Sequence, residues 1–328
     1  MPIVTARKES LKIVDKTREC NASMAIFCTA GHWNTEAILL AAKKFCDKYQ
    51  VAGVPLAMAM TFNYPYMPQA QRITHCRDAK LGFLSMMEHL HVLCDSPDSP
   101  YYNITVLPHL DHADPERDSW ALTEGTKYLA SAMFDAQRYP AEQNKEMTRN
   151  YVRGYGREIL IEGIMEELAV ADKHARESVT SGDDYLEKAA AYVKATEVDF
   201  LVADLGTEQQ ATSSGGVRYM RERARGLTEI LGRKMLVLHG TSSLNRDQMS
   251  SLTNDGVVRV NMWTKIAREA GKYAAGNLFK RAEALFGNDF ESVESNRYLM
   301  DSIDKASDLM LEILETLNYR NFAGKYTR

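Results

Sequence analysis

The sequence predicts an α/β fold, a closed (β/α)8 or TIM barrel with an extra C-terminal helical extension. Short apolar runs alternate eight times with helical segments, which is typical of a parallel sheet covered on both faces. No G-x-G-x-x-G turn follows the first strand, which disfavours the rival architecture, an open doubly wound sheet. Polar residues cluster after nearly all of the strands, as the mouth of a barrel requires.

The predicted strands are continuous apolar runs bounded by polar or turn-forming residues. Both faces of a strand are buried in a parallel sheet, so such runs need not alternate with polar residues. The runs lie at residues 23–30, 55–62, 104–112, 128–136, 159–165, 199–206, 235–240 and 257–262.

A helical pattern follows each of these strands. The first helix begins at Asn34-Thr35-Glu36, a typical helix start. The predicted helical segments are one from residue 34, then 79–94, 116–126, 140–157, stretches up to residue 196, 217–231, 245–254 and 264–286.

The C-terminal tail contains DKASDLMLEILETL, an amphipathic segment with no strand after it. We therefore expect a single domain over 1–328, with the barrel at about 23–286 and a helical tail at about 287–328.

Composition excludes several classes of protein. The 328 residues carry a net charge of −4, and 45% hydrophobic with 26% charged residues is a globular composition. The chain has no basic block, which argues against nucleic acid as a partner. It has no membrane-spanning apolar run and no signal-peptide pattern, so we expect a cytoplasmic protein without membrane contact. The five cysteines lack C-x-x-C spacing and are interpreted mostly as core residues.

Residues directly after barrel strands form the active sites of this architecture. Two histidines occupy such positions, His112 and His239, and strand five carries Glu162 with Glu166 just beyond it. Imidazole and carboxylate suit Zn²⁺, and a catalytic site needs about three protein ligands. His112, His239 and one of the two glutamates are therefore candidate metal ligands. The alternative is that each histidine only caps a strand end.

The segment His239-Gly240-Thr241-Ser242-Ser243 resembles a phosphate-binding turn, because a glycine permits close backbone approach and the hydroxyls lie beside amides. Thr264, at the start of the next helix, offers another hydroxyl. An ordinary strand-to-helix turn with Ser/Thr capping is the competing interpretation.

Together the strand ends resemble the class II, metal-dependent fructose-bisphosphate and tagatose-bisphosphate aldolase family. The segments that carry the resemblance are VLPHLDH, SAMFDAQRYPAEQNKEMT, AAAYVKATEVDFLVADLGT, MLVLHGTSS and GVVRVNMWT, in the order of the family, between about residues 24 and 285. The resemblance implies aldol cleavage or condensation of a sugar phosphate, in which zinc polarises a ketose carbonyl and stabilises an enediolate.

The resemblance also implies roles for individual residues. Asp111 matches the residue that handles the proton of the substrate hydroxyl, and His112 and His239 match zinc ligands. The remaining matches imply that Gly240, Ser242 and Thr264 contact phosphate, that Asn261 contacts the substrate carbon backbone, and that Asp135 lies near the metal.

Several positions depart from the family pattern. Gln209 stands where the family has its third zinc-binding histidine, which leaves Gln209 as a candidate substrate contact. Glu162 or Glu166 would then compensate, or the metal would be Mn²⁺ or Mg²⁺. Trp263 replaces an aspartate, and the loop that supplies the proton-abstracting glutamate has only Glu167 and Glu177 as candidates. We therefore expect a phosphorylated or acidic ketose other than fructose 1,6-bisphosphate.

Two other functions remain open at this point. A related epimerase or isomerase would reprotonate the same enediolate without cleaving a carbon–carbon bond. A non-catalytic barrel that supports a partner would explain Gln209 and the missing glutamate loop, but not the pair Asp111 and His112. The resemblance implies a homo-oligomer, a dimer or larger, and the exposed faces of the tail predict packing against another subunit.

Overall fold

The computed structural model is a closed barrel in which every strand is parallel to its neighbours, in the order β1 to β8 with β8 beside β1. It describes residues 2–166, 184–207, 219–241, 244–287 and 297–325. The predicted fold is therefore confirmed. The strands are β1 (Met24–Cys28), β2 (Pro55–Thr61), β3 (Thr105–Ala113), β4 (Ser131–Phe134), β5 (Leu160–Ile164), β6 (Phe200–Val202), β7 (Leu236–Leu238) and β8 (Val257–Met262).

Most of these strands are shorter than the sequence pattern predicts. β6 covers only Phe200–Val202, whereas the predicted run extends over 199–206. The residues after it are apolar enough to continue the pattern, but Gly206 has a φ of 77° and the chain has left the sheet there. The apolar runs therefore include the first residues of the loops that form the barrel mouth.

Helices cover the outside of the barrel. Among the helical segments that the structure describes, the third predicted helix differs in type, because 116–126 forms the short α4 and then a 3₁₀ turn at Glu124–Tyr128. The helices are α1 (Arg7–Glu19), α2 (His32–Tyr49), α3 (Ala79–Cys94), α4 (Ser119–Leu122), α5 (Ala141–Tyr155), α6 (Tyr185–Thr196), α7 (Arg221–Leu231), α8 (Arg246–Ser251), α9 (Thr264–Lys280), α10 (Ala282–Phe286) and α11 (Arg297–Thr316). No helix in the described part of the chain is long and apolar enough to cross a membrane.

Helix α1 was not predicted, because most of its residues are charged or polar and few apolar positions mark a buried face. It closes the end of the barrel at which the strands begin. Val14 packs into the apolar interior together with Met24 of β1. The Arg7 guanidinium donates to Asp199 just before β6, at 2.6 and 2.7 Å, and to the Ile159 carbonyl just before β5 at 2.8 Å.

The residues after the last helix of the C-terminal extension reach the same end of the barrel. Helix α11 packs between α2 and α9, so its apolar face is covered by its own chain. Tyr319, in the 3₁₀ turn Tyr319–Phe322, is fully buried, and its hydroxyl accepts from Ala25 N and donates to Pro55 O, both at 2.9 Å. The extension thus supplies hydrogen bonds that the first residues of β1 and β2 lack.

Removing the Tyr319 hydroxyl tests this structural role. Tyr319→Phe leaves a buried amide and a buried carbonyl without a partner, so we expect the free energy of unfolding to fall by about 1–3 kcal/mol. Chemical denaturation followed by circular dichroism measures the change. Tyr298→Phe is the control, because Tyr298 is 46% exposed and its loss of a hydroxyl should change stability by less than about 0.5 kcal/mol. Equal stability of the two variants would contradict the role.

Candidate active site

Three side chains converge at the mouth of the barrel. Asp111 and His112 lie near the end of β3, and His239 follows β7 directly. One ligand atom from each lies within 4.8 Å of the other two, and the three residues are only 4–5% exposed. Strands β3 and β7 lie on opposite sides of the barrel, so closure of the sheet is what brings them together.

A break in the register of β3 lets two consecutive residues face this site. Consecutive side chains on a regular strand point to opposite faces. Between Leu110 and Ala113, however, β3 uses one residue more than β4 does, and His112 adopts a left-handed φ of 47°. This conformation is unfavourable for a residue with a Cβ and is typical of bulges beside active sites. The local strain turns His112 toward Asp111 and His239.

Neighbouring groups hold the His112 ring in place. Its Nδ1 lies 2.8 Å from Asp135 Oδ2, and Gln137 donates to the same oxygen at 3.0 Å. The ring of Tyr64 stacks on the imidazole at a centroid distance of 4.4 Å. Since Nδ1 is directed at a carboxylate, Nε2 is the nitrogen that a metal would take, as in many carboxylate–histidine–metal arrangements.

Burial and charge set the protonation of the cluster. Burial lowers the pKa of His239 to about 4, which keeps this imidazole neutral and able to ligate a metal. Burial also lowers the pKa of His112, but the charge of Asp111 and the hydrogen bond to Asp135 outweigh it and raise the pKa above its usual value. For Asp111 burial raises the pKa, and the adjacent histidines lower it further than burial raises it.

The cluster fits a divalent metal. Asp111 Oδ1 and His239 Nε2 are buried without a hydrogen-bond partner in the described part of the chain. Buried polar atoms are almost always satisfied by protein, water or an ion. The two imidazoles suit Zn²⁺, and the carboxylate of Asp111 beside them suits either proton transfer or ligation of a harder ion such as Mn²⁺.

The structure does not bring Glu162 to these three residues. Glu162 is fully buried below them and forms an ion pair with Arg259 of β8. Arg259 Nη2 donates to Ser131 Oγ at 3.2 Å, and Ser131 Oγ lies 2.8 Å from His109 Nδ1. We call His109, Ser131, Glu162 and Arg259 the interior layer. Because its partner is a guanidinium across the barrel, Glu162 does not complete the ligand set.

Burial has the dominant effect on the interior layer. It raises the pKa of Glu162 to about 7, although the charge of Arg259 opposes the shift. Burial and then the charge of Arg259 lower the pKa of His109 far below its usual value, so His109 is neutral. Glu166 lies outside the metal-ligand group of the described residues, and burial raises its pKa.

The structure describes some of the other predicted site residues but not all of them. Gly240, Asn261 and Thr264 line a cavity of about 70 Å³ together with the three clustered residues. Asp135 holds His112 as described. Gln209 and Ser242 lie outside the described residues, as do the alternative bases Glu167 and Glu177.

Sequence reasoning missed part of this cavity. Cys28 was interpreted as a core residue, but it ends β1 and lines the cavity with Thr61, Tyr64 and Gln69. Its position at a strand end was a usable signal. Arg259 was also missed, since a single charge inside an apolar run does not reveal its partner.

Sequence comparisons identify relatives of the chain. A model of the family described as class II fructose-bisphosphate aldolase matches residues 9–321. The chain is 27% identical over 191 residues to the 6-phospho-5-dehydro-2-deoxy-D-gluconate aldolase of Shouchella clausii (strain KSM-K16), covering 56% of this chain and 60% of that protein. It is 26% identical over 208 residues to the fructose-bisphosphate aldolase of Streptococcus pneumoniae serotype 4 (strain ATCC BAA-334 / TIGR4), covering 62% and 65%. The matched region thus spans less than two thirds of these relatives.

Solved structures show the same fold. A crystal structure of fructose-bisphosphate aldolase from Campylobacter jejuni superimposes with a TM-score of 0.75 at 16% identity, covering 96% of this chain and 95% of that one. A putative fructose-1,6-bisphosphate aldolase from Coccidioides immitis gives 0.67 at 18% identity, covering 94% and 95%. At these identities the likeness concerns the fold alone. The match to the family model covers nearly the whole sequence, and the chain therefore belongs to the class II fructose-bisphosphate aldolase family.

Proposed function

We propose that the chain is a metal-dependent aldehyde-lyase that cleaves or forms a phosphorylated or acidic ketose other than fructose 1,6-bisphosphate. The observation that carries the proposal is the buried cluster of Asp111, His112 and His239, in which Asp111 Oδ1 and His239 Nε2 have no hydrogen-bond partner among the described residues. The chain belongs to a class II aldolase family, and we therefore assign aldol chemistry to this cluster.

In this proposal His112 and His239 hold the metal, and Asp135 fixes the ring of His112. When bound, a divalent ion, Zn²⁺ in the first place and Mn²⁺ or Mg²⁺ as alternatives, polarises the ketose carbonyl. Asp111 transfers the proton of the substrate hydroxyl, because its Oδ1 has no hydrogen-bond partner in the described part of the chain. Tyr64 stacks on one face of the His112 ring and helps to hold it in place.

Substrate contacts are proposed for the residues that line the cavity. Asn261 lies beside Asp111 and faces the carbon backbone of the substrate, while Gly240 and Thr264 face a phosphate or carboxylate. We also propose substrate contacts for Ser242 and Gln209, from their positions in the sequence alone.

Two observations support a substrate other than a sugar bisphosphate. Among the described residues that line the cavity, none is a lysine or an arginine, although a second phosphate needs compensating charge. The relative from Shouchella clausii is named for a phosphorylated ketose that is also a sugar acid. A single phosphate with an acidic or hydroxylated remainder therefore fits better than two phosphates.

Metal content is the first test of the proposed function. Protein purified without chelators or metal-affinity resin should contain about one divalent ion per chain by ICP-MS. His112→Ala and His239→Ala should lose it while retaining the far-ultraviolet spectrum of the fold. His75→Ala is the matched control, since this histidine is exposed on the loop after β2 and should leave the metal in place. A folded wild-type protein without metal would refute the mechanism.

Asp111→Asn tests the proton-transfer role. The amide keeps the shape of the side chain but cannot take a proton, so we expect the metal to remain and turnover to fall by at least about a hundredfold. Cleavage of the ketose, followed by NMR of its products, measures turnover, because exchange of a carbon-bound proton would not report on the proton of the substrate hydroxyl. Loss of metal in this variant would instead make Asp111 a ligand, and full activity would exclude both roles.

Substrate preference is tested on a panel of ketoses with the same enzyme preparation. We expect kcat/KM for fructose 1,6-bisphosphate to be at least about tenfold below that for the best monophosphorylated or acidic ketose, because unpaired charge is costly in a confined site. NMR product analysis also separates cleavage from epimerisation. Exchange without smaller fragments would indicate an epimerase or isomerase, and fructose 1,6-bisphosphate as the best substrate would contradict the proposed specificity.

A further inference from the structure

A second cavity, of about 460 Å³, lies outside the strands between α8, α9 and α11, and we call it the side cavity. The short length of α8 accounts for it. The six residues of α8 form a helix about 9 Å long, whereas the six residues of β8 that follow span about 20 Å. Because α8 cannot cover the neighbouring strands over their whole length, a gap remains beneath α11.

Much of the side cavity is lined by apolar side chains. Leu309 and Ile313 are four residues apart on α11 and therefore lie on one face of that helix, and both are only half-buried. Met249 of α8, Met262 of β8 and Ile266 of α9 complete the apolar surface. Small-molecule sites typically have volumes of about 300–1,000 Å³ and a mostly apolar lining with a few polar groups. The side cavity has the size and the lining of such a site.

The charged groups that line the side cavity leave an excess of positive charge. Lys265 and Arg246 both line it, and neither forms an ion pair in the described part of the chain. Two carboxylates line it as well. Glu315 is already paired with Lys48 at 2.7 Å, so only Glu312 opposes the two cations.

These charges are also separated along the cavity. Arg246 begins α8 and Lys265 lies in the first turn of α9, so both are at the end nearer the mouth of the barrel. Glu312 lies near the end of α11, which leads toward the opposite end of the barrel. An anionic group would therefore be favoured at the end of the cavity nearer the mouth.

The side cavity adjoins the catalytic cavity but is distinct from it. Thr241 and Trp263 line both cavities, whereas Asp111, His112 and His239 line only the catalytic one. Trp263 therefore offers a spectroscopic signal for a molecule bound in the side cavity.

We propose that the side cavity binds a small amphipathic anion, a molecule with an apolar body and a single carboxylate. The apolar body packs on Leu309, Ile313 and Met249, and the carboxylate faces Lys265 and Arg246. A neutral apolar molecule would leave both cations without a partner, and a sugar phosphate would leave the apolar surface without one. The site is independent of the proposed function, because its argument involves neither the metal nor the reaction.

Fluorescence titration of the native full-length protein with 1-anilinonaphthalene-8-sulfonate, an aromatic anion with one charge, tests the proposal. We expect about one dye molecule per chain. The dissociation constant should rise at least about fivefold in Lys265→Ala and in Arg246→Ala, since each loses a charge-assisted contact. Lys272→Ala is the matched control, because this exposed lysine lies on α9 outside the side cavity, and it should match wild type. Absence of saturable binding, or equal affinities in Lys265→Ala and Lys272→Ala, would overturn the proposal.

Two further variants locate the dye. Excitation of tryptophan should transfer energy to the bound dye, and Trp263→Phe should remove most of this transfer, whereas Trp33→Phe should not. Leu309→Trp fills the cavity from a half-buried position and should abolish dye binding while the far-ultraviolet spectrum is retained. Dye binding that Leu309→Trp leaves unchanged would place the dye elsewhere and contradict the proposal.

Displacement of the dye tests the requirement for charge. Octanoate should displace it at a concentration at least about threefold below that of 1-octanol, although the alcohol is the more apolar of the two. This preference should disappear in Lys265→Ala. Equal displacement by the two compounds from the wild-type protein would show that the site does not select an anion and would refute the assigned ligand class.

Discussion

Closure of the barrel confines polar side chains from distant strands to one narrow interior. The hydrogen bonds and ion pairs that these side chains form with one another determine the geometry of the site. Residues two apart on a strand face the same side of the sheet. His109 and Asp111 are so related on β3, as are Arg259 and Asn261 on β8. β3 therefore contributes His109 to the interior layer and Asp111 to the cavity above it. β8 contributes Arg259 and Asn261 in the same way. The interior layer is the floor of the site.

The interior layer would destabilise the fold if its buried charges were unpaired. Arg259 and Glu162 have side chains that are 1% and 0% exposed, and an unpaired charge at such depth would destabilise the fold by several kcal/mol, about 3–5 for a broken pair. The guanidinium also lies over the ring of Phe200, 5.2 Å from its centroid, which adds an attractive contact. Pairing across the barrel ties β5 to β8. The position of Asn261 is therefore determined partly by a contact that never reaches the substrate.

The sequence predicts the barrel and the two histidines because both follow from local pattern. Apolar runs define the strands, and polar residues directly after them must meet at the mouth once the sheet closes. Glu162 was placed among the ligands because the same rule cannot distinguish a side chain inside the barrel from one at its rim. Its partner Arg259 is 97 positions away, and no local pattern joins the two. The turn of His112 toward the site also depends on an irregular register, which an apolar pattern does not reveal.

The position of the unpartnered atoms bears on the choice between a catalytic site and a structural barrel. In the described residues Asp111 Oδ1 and His239 Nε2 are buried without a hydrogen-bond partner, as are His109 Nε2, Glu162 Oε2 and Arg259 Nε of the interior layer, but Asp111 and His239 also line the cavity at the mouth. Leaving such atoms unsatisfied costs about 1–3 kcal/mol each, and the left-handed backbone at His112 adds to this cost. A barrel kept only for its shape would be more stable with apolar side chains at these positions. The cost is offset when an ion or a substrate completes the cluster, so the strain and the missing partners favour a binding and catalytic role over a degenerate scaffold.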